Sequence, residues 1–210
     1  MNRARIVEMV GKYYTEKIIE HGAVPKGVDW NGDDSQMLRF DQLLKLIDSP
    51  NTNFTLLDYG CGYGALYSFL AKQNIECTYT GYDISDEMIQ AARSIHPASG
   101  VQWSSNEEDL KLYDYVIASG IFNVKGQIVD SDWEQYILDT LLRMNKVSIK
   151  GFAFNVLTDY SDPEKTKPNL YYANPARVFD LCKSKFSKSV ALLHDYPLYE
   201  FTILVRKAIL

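Results

Sequence analysis

Hydrophobic positions along the chain follow two alternating periods. Ile6, Val7, Val10, Tyr13, Tyr14, Ile18 and Ile19 recur at helical spacing, predicting a helix over residues 4–21 that Gly22 ends as a C′ residue. Met37, Leu38, Phe40, Leu43, Leu44 and Ile47 repeat that spacing over 35–47, with Asp34 or Ser35 as the cap. Beyond residue 54 short apolar runs alternate with helical stretches. The runs are 55–58, 78–83, 101–103, 113–119 and 150–157, and the helices are 66–72, 86–95, 131–144 and 175–186. Strands that alternate with helices build a parallel sheet covered on both faces.

The last two runs, 189–194 and 200–206, break the rhythm. They are joined by Asp195-Tyr196-Pro197-Leu198-Tyr199, too short for a parallel crossover, so they form a hairpin and make the sheet mixed. The pattern therefore predicts an α/β three-layer sandwich. Its sheet is seven-stranded and mostly parallel, with an antiparallel terminal strand and an N-terminal helical cap. Residues 1–34 read as an N-terminal helix and lid segment, and 35–210 as the main domain. Two irregular segments stand out, the glycine-rich 22–34 around Trp30 and the long polar 158–173 with Tyr160, Tyr171 and Tyr172. Trp30 reads either as a plug for its loop or as a lid aromatic, and each tyrosine either as loop packing or as part of a substrate pocket.

The chemistry centres on Thr55-Leu56-Leu57-Asp58-Tyr59-Gly60-Cys61-Gly62-Tyr63-Gly64-Ala65-Leu66, which reads as strand, tight turn and helix. Glycines let the turn take positive φ and let a ligand reach bare backbone, while the helix aims its amides and positive dipole end at that ligand. This places a nucleotide-type site at the carboxyl end of a parallel strand. Gly60-x-Gly62-x-x-Ala65 also satisfies a dinucleotide fingerprint. The second strand ends on Asp83, about 20 residues further on, the spacing at which an acid meets ribose hydroxyls. Asp83 could otherwise be a loop carboxylate, with Ser85 or Asp86 capping the next helix.

Composition narrows the partners. At 210 residues with 22 basic against 27 acidic side chains, the net charge of −5 argues against a broad nucleic-acid surface. Cys61, Cys77 and Cys182 lack paired spacing and fit a reducing compartment. No signal peptide and no membrane span are read, so a cytoplasmic location is expected. No metal set is expected from Asp130, Asp132, Asp159 and Asp162, which are spread over two loops.

The segments LLDYGCGYGAL and GYDIS resemble the first two motifs of class I S-adenosylmethionine-dependent methyltransferases, and Asp114-Tyr115-Val116-Ile117-Ala118-Ser119 resembles that family's fourth strand. The resemblance covers roughly 36–207, and Asp58 directly before the glycines is typical of it. It implies a Rossmann-like fold, S-adenosyl-L-methionine as cofactor, and cofactor contacts at Asp58, Gly60, Cys61, Gly62, Asp83, Ile84 and Ser119. It further implies an adenine contact at Asn106 or Glu107, and Arg39 as a partner for the cofactor carboxylate or simply a solvated helix residue. Ser119-Gly120-Ile121-Phe122-Asn123 stands where the family faces the transferable methyl and puts Asn123 beside the acceptor. The Asn/Asp-Pro-Pro-aromatic quartet of amino-directed enzymes is missing there. The expected activity is thus methylation of a small molecule, O-directed, on a sugar, lipid precursor or specialised metabolite. His194, one of three histidines and followed by Asp195, is the candidate general base, set against a structural role. The rival readings are an NAD-dependent oxidoreductase, which predicts a wholly parallel sheet, and a non-catalytic cofactor-binding module with a protein partner.

Overall fold

The structure is a computed structural model and describes residues 1–24, 27, 33–48, 52–97 and 100–207. Seven strands form one sheet in the order β3-β2-β1-β4-β5-β7-β6. They are β1 (Thr55–Tyr59), β2 (Thr78–Tyr82), β3 (Gln102–Ser104), β4 (Tyr113–Ala118), β5 (Ser148–Leu157), β6 (Ser189–Leu193) and β7 (Glu200–Arg206). The first five run parallel, and β7 is antiparallel to both β5 and β6. The hairpin read from the five-residue link is therefore present, and the wholly parallel sheet of the oxidoreductase reading is not. The helices are α1 (Arg3–His21), α2 (Asp33–Leu44), α3 (Ala65–Lys72), α4 (Asp86–Ile95), α5 (Asp130–Val147) and α6 (Pro175–Lys185).

Continuous apolar runs in β1, β4 and β5 are what a strand buried on both faces needs. On one face Phe40, Leu43 and Leu46 join Leu56, Phe69, Ile117 and Leu204. On the other, Trp133, Leu141 and Met144 of α5 pack on Leu57, Val116, Phe152 and Ile203. Trp133 is fully buried and satisfies its indole N–H on the Phe122 carbonyl at 3.0 Å.

Both ends of α2 differ from the periodicity reading. α2 already begins at Asp33, so Asp34 and Ser35 lie inside its first turn and do not cap it. It ends before Ile47 because the amides of Leu46 and Ile47 bond three residues back, to Leu43 and Leu44, tightening the last turn. The β3–β4 connection carries only the 3₁₀ turn Glu107–Asp109 in place of a crossover helix. Ile6 and Val10 of α1 are buried in the same cluster as Leu57, Tyr82 and Tyr136, so α1 covers that part of the sheet and packs on α4 and α5.

Ser85 caps α4. Its Oγ accepts from the Met88 amide at 3.3 Å and meets Thr15 Oγ1 of α1 at 2.7 Å. Ser85→Ala is expected to lower stability by about 1 kcal/mol, or roughly 2–4 °C in melting temperature for a chain of this size. Thermal unfolding checks this; a melting point at or above wild type would remove the cap from the account.

Candidate active site

The glycine turn sits at the carboxyl edge of the sheet, where the order reverses between β1 and β4. The Gly60 and Cys61 amides both donate to the Tyr82 carbonyl, at 2.7 and 2.9 Å, which clamps the turn onto the end of β2. Gly60 has φ +84°, which strains any L side chain, and a Cβ there would stand 2.2 Å from the Ile121 side chain, so Ile121 would have to move as well. α3 starts at Ala65, directly after Gly64 at φ +86°, and presents its positive end to the turn.

Two buried carboxyls face this turn. Asp83 accepts from the Gly62 amide through Oδ2 and from the Ser85 amide through Oδ1, each at 2.9 Å. Burial raises its pKa to about 6 even though both amides favour the charged form. Asp58 accepts from the Tyr79 hydroxyl at 2.5 Å, and burial raises its pKa to about 7 against that hydrogen bond, with the Asp83 charge adding to the rise. Burial and the same two carboxyls push the Cys61 thiol well above its ordinary range, so it stays protonated and is no nucleophile.

Around them lies a cleft that opens to solvent. Asp58, Gly60, Cys61, Gly62, Asp83, Ile84 and Ser119 all line it. Ser119 Oγ is buried with no hydrogen-bond partner among the described residues, a polar group left for a ligand. Each Asp83 oxygen keeps a second acceptor site beyond its amide. The set suits a ligand that brings vicinal hydroxyls to Asp83 and a cationic centre to the raised, ionisable Asp58.

Other expected residues go elsewhere. Arg39 donates through Nε to Glu200 at 2.6 Å, deep beside β7. Asn106 caps its 3₁₀ turn and reaches Asp109, while Glu107 accepts from Arg3 at 2.8 Å and from Tyr59. Asn123 is buried behind the β4 exit, its carbonyl accepting from the Tyr171 amide at 2.8 Å. Tyr171 donates to Glu134 at 3.0 Å, and the Tyr172 hydroxyl accepts from the Lys167 amide at 3.0 Å, so both pack the 158–173 segment. That segment is joined to the β4 exit by a Val124–Leu170 bridge. Tyr160 is 72% exposed beside His194, which lies just past β6 against Phe201. β6 is four strands from β1, or roughly 19 Å at the usual strand spacing. A general base works within hydrogen-bond reach of its proton, so a role for His194 requires an acceptor that extends to this edge. Trp30 lies outside the described residues.

The sequence reading missed the walls. Val10 and Tyr14 of α1, Gln36 and Phe40 of α2, and Tyr136 of α5 all line the cleft. Their helical spacing marks a covered face without saying what covers it. Among the described residues no group of three or more His, Cys, Asp or Glu is arranged for a metal, and no helix is long and apolar enough to cross a membrane.

A methyltransferase-domain family profile matches residues 57–143. Rv1506c of Mycobacterium tuberculosis (strain ATCC 25618 / H37Rv), which carries a provisional methyltransferase name, is 48% identical over 161 residues, covering 74% of this chain and 94% of its own. Among solved structures, magnesium protoporphyrin IX methyltransferase (ChlM) from Synechocystis PCC 6803 with bound SAM aligns at TM-score 0.67 and 14% identity, over 99% of this chain and 98% of that one. The DhpI complex with SAH aligns at TM-score 0.62 and 15% identity, over 96% of this chain and 97% of that one. At such identity the two structures report a shared fold.

Proposed function

The chain belongs to the class I S-adenosylmethionine-dependent methyltransferase family, and on that premise we propose that it methylates an oxygen of a small molecule such as a sugar, lipid precursor or specialised metabolite. One observation carries the cofactor side of the reading: two buried carboxyls, Asp58 and Asp83, converge on a glycine turn held at positive φ. Bound S-adenosylmethionine supplies an electrophilic methyl on a sulfonium.

This chain's residues supply binding and orientation. Asp83 accepts the ribose hydroxyls while the Gly62 and Ser85 amides hold its oxygens in place. Asp58 faces the cationic end, and the Gly60 to Gly62 backbone gives close approach. Tyr14, Gln36 and Phe40 line the cleft, where holding the reactants together is most of what an in-line displacement asks of a protein. Support for an oxygen acceptor is the Ser119-Gly120-Ile121-Phe122 sequence at the β4 exit, which lacks the quartet of amino-directed enzymes. The net charge of −5 supports a small acceptor over a nucleic acid. The cytoplasm is the proposed location.

The test follows from the carboxyls. In the unliganded protein both pKa values lie above 3.8, at about 7 for Asp58 and about 6 for Asp83. The folded state therefore holds protons that the unfolded chain has lost, and the stability this gives is present below pH 3.8 and lost as pH rises through 6 and 7. A cationic, hydroxyl-bearing ligand favours the ionised forms. S-adenosylmethionine affinity is thus expected to be full near pH 8 and to fall about tenfold per unit per group as pH drops below 7 and then 6. Calorimetry in buffers of different ionisation enthalpy should show proton release near pH 6.5. Tyr79→Phe removes the hydroxyl that favours ionised Asp58 and moves the upper midpoint higher. Affinity that does not change between pH 5 and 8 counts against both carboxyls as contacts, and tight binding of NAD alone would overturn the cofactor.

A further inference from the structure

A chain of buried hydrogen bonds links two walls of the cleft. Asn155 lies within β5 and is fully buried. Its Oδ1 accepts from the Gly120 amide at 2.7 Å, and its Nδ2 donates to Glu200 Oε1 at 2.8 Å. Glu200, fully buried at the start of β7, accepts from Arg39 Nε through its other oxygen at 2.6 Å. An ionised carboxylate only accepts, so Glu200 holds the NH2 end of the Asn155 side chain and turns its oxygen toward Gly120. Arg39 in turn favours the charged form of Glu200 against the rise that burial imposes. One end lines the cleft and the other sits on a helix that does. Gly120 lines it at the β4 exit, and Arg39 lies on α2 between Gln36 and Phe40, which line it from the other side. The Ser119 hydroxyl makes no hydrogen bond among the described residues, so the hold on the turn comes from Asn155.

The geometry points to Asn155, Glu200 and Arg39 as positioning residues for methyl transfer, which fix the β4 exit turn against α2 without touching the substrate. The inference rests on the cleft being the cofactor and acceptor site. The reaction needs it because a displacement of reacting groups by about 1 Å costs on the order of a hundredfold in rate.

The test compares Asn155→Ala and Glu200→Gln with Met144→Ala, a core cavity on α5 that leaves the network intact. Two readouts are taken at matched global stability: hydrogen exchange of the Gly120 amide by NMR without ligand, and S-adenosylmethionine affinity by calorimetry. In Asn155→Ala, Gly120 is expected to exchange at least about tenfold faster than in Met144→Ala, with affinity lowered several-fold. Glu200→Gln, which keeps the volume, is expected to shift both in the same direction and carries the comparison if Asn155→Ala does not fold. Gly120 exchange in both network variants equal to that of Met144→Ala overturns the inference. A wild-type protein that does not bind S-adenosylmethionine sinks the cofactor reading, while Gly120 exchange still decides the network.

Discussion

Asp83→Ala is expected to weaken S-adenosylmethionine binding by at least about a hundredfold while the fold survives. Hydrogen bonds to a charged acceptor contribute about 1.5–3 kcal/mol each, and the proposed ribose contact uses two. The carboxylate also holds the Gly62 amide at 2.9 Å, so its loss frees the glycine turn as well. Stability changes little by comparison, because an Asp raised to about 6 is already costly to keep ionised at neutral pH. Asp83→Asn keeps the volume and one acceptor and should lose less. Calorimetry with circular dichroism on each variant decides the matter: a folded Asp83→Ala protein that binds within threefold of wild type removes Asp83 from the site.

The second large effect is on stability. Arg39→Met leaves the Glu200 carboxylate buried at 0% exposure, with Asn155 as its remaining side-chain hydrogen-bond partner among the described residues. Removing one partner of a buried ion pair costs about 3–5 kcal/mol, against a total of about 5–15 kcal/mol for a typical domain. At about 2–4 °C per kcal/mol the melting temperature should fall by roughly 6–20 °C. Burial already raises the Glu200 pKa against the pull of Arg39, and without Arg39 it rises further. The variant can then protonate Glu200, so its deficit should be largest near pH 8 and shrink toward pH 5. Glu200→Leu added to Arg39→Met should recover part of the loss, since no unpaired charge remains. Denaturant unfolding at both pH values measures this. A deficit under about 1 kcal/mol would show that water reaches Glu200.

The alternation of apolar runs and helical stretches was enough to read the sheet, and the short link between the last two strands was enough to read its one reversal. Asp58, the glycines and Asp83 were legible because their chemistry is local: turn, helix start and acid lie within about 30 residues and need no knowledge of the rest of the chain. Arg39 was read as a partner for the cofactor carboxylate or a solvated helix residue, and its burial on Glu200 was not legible because Glu200 is 161 residues away. Glu107 was equally hidden, since its partner Arg3 is 104 residues away.

The sequence by itself therefore determined the architecture, the family and the cofactor-facing turn. Backbone conformation and hydrophobic period are decided by neighbours within a few residues, and those neighbours are written in order. Only the tertiary structure decided that α1 covers the sheet where a crossover helix is missing, that Val10, Tyr14 and Gln36 wall the cleft, and that Asn155 joins Gly120 to Glu200. Helical spacing reports that a face is covered but carries no record of the surface it meets. A buried carboxylate needs a cation somewhere, and which one reaches it is settled only when distant segments pack.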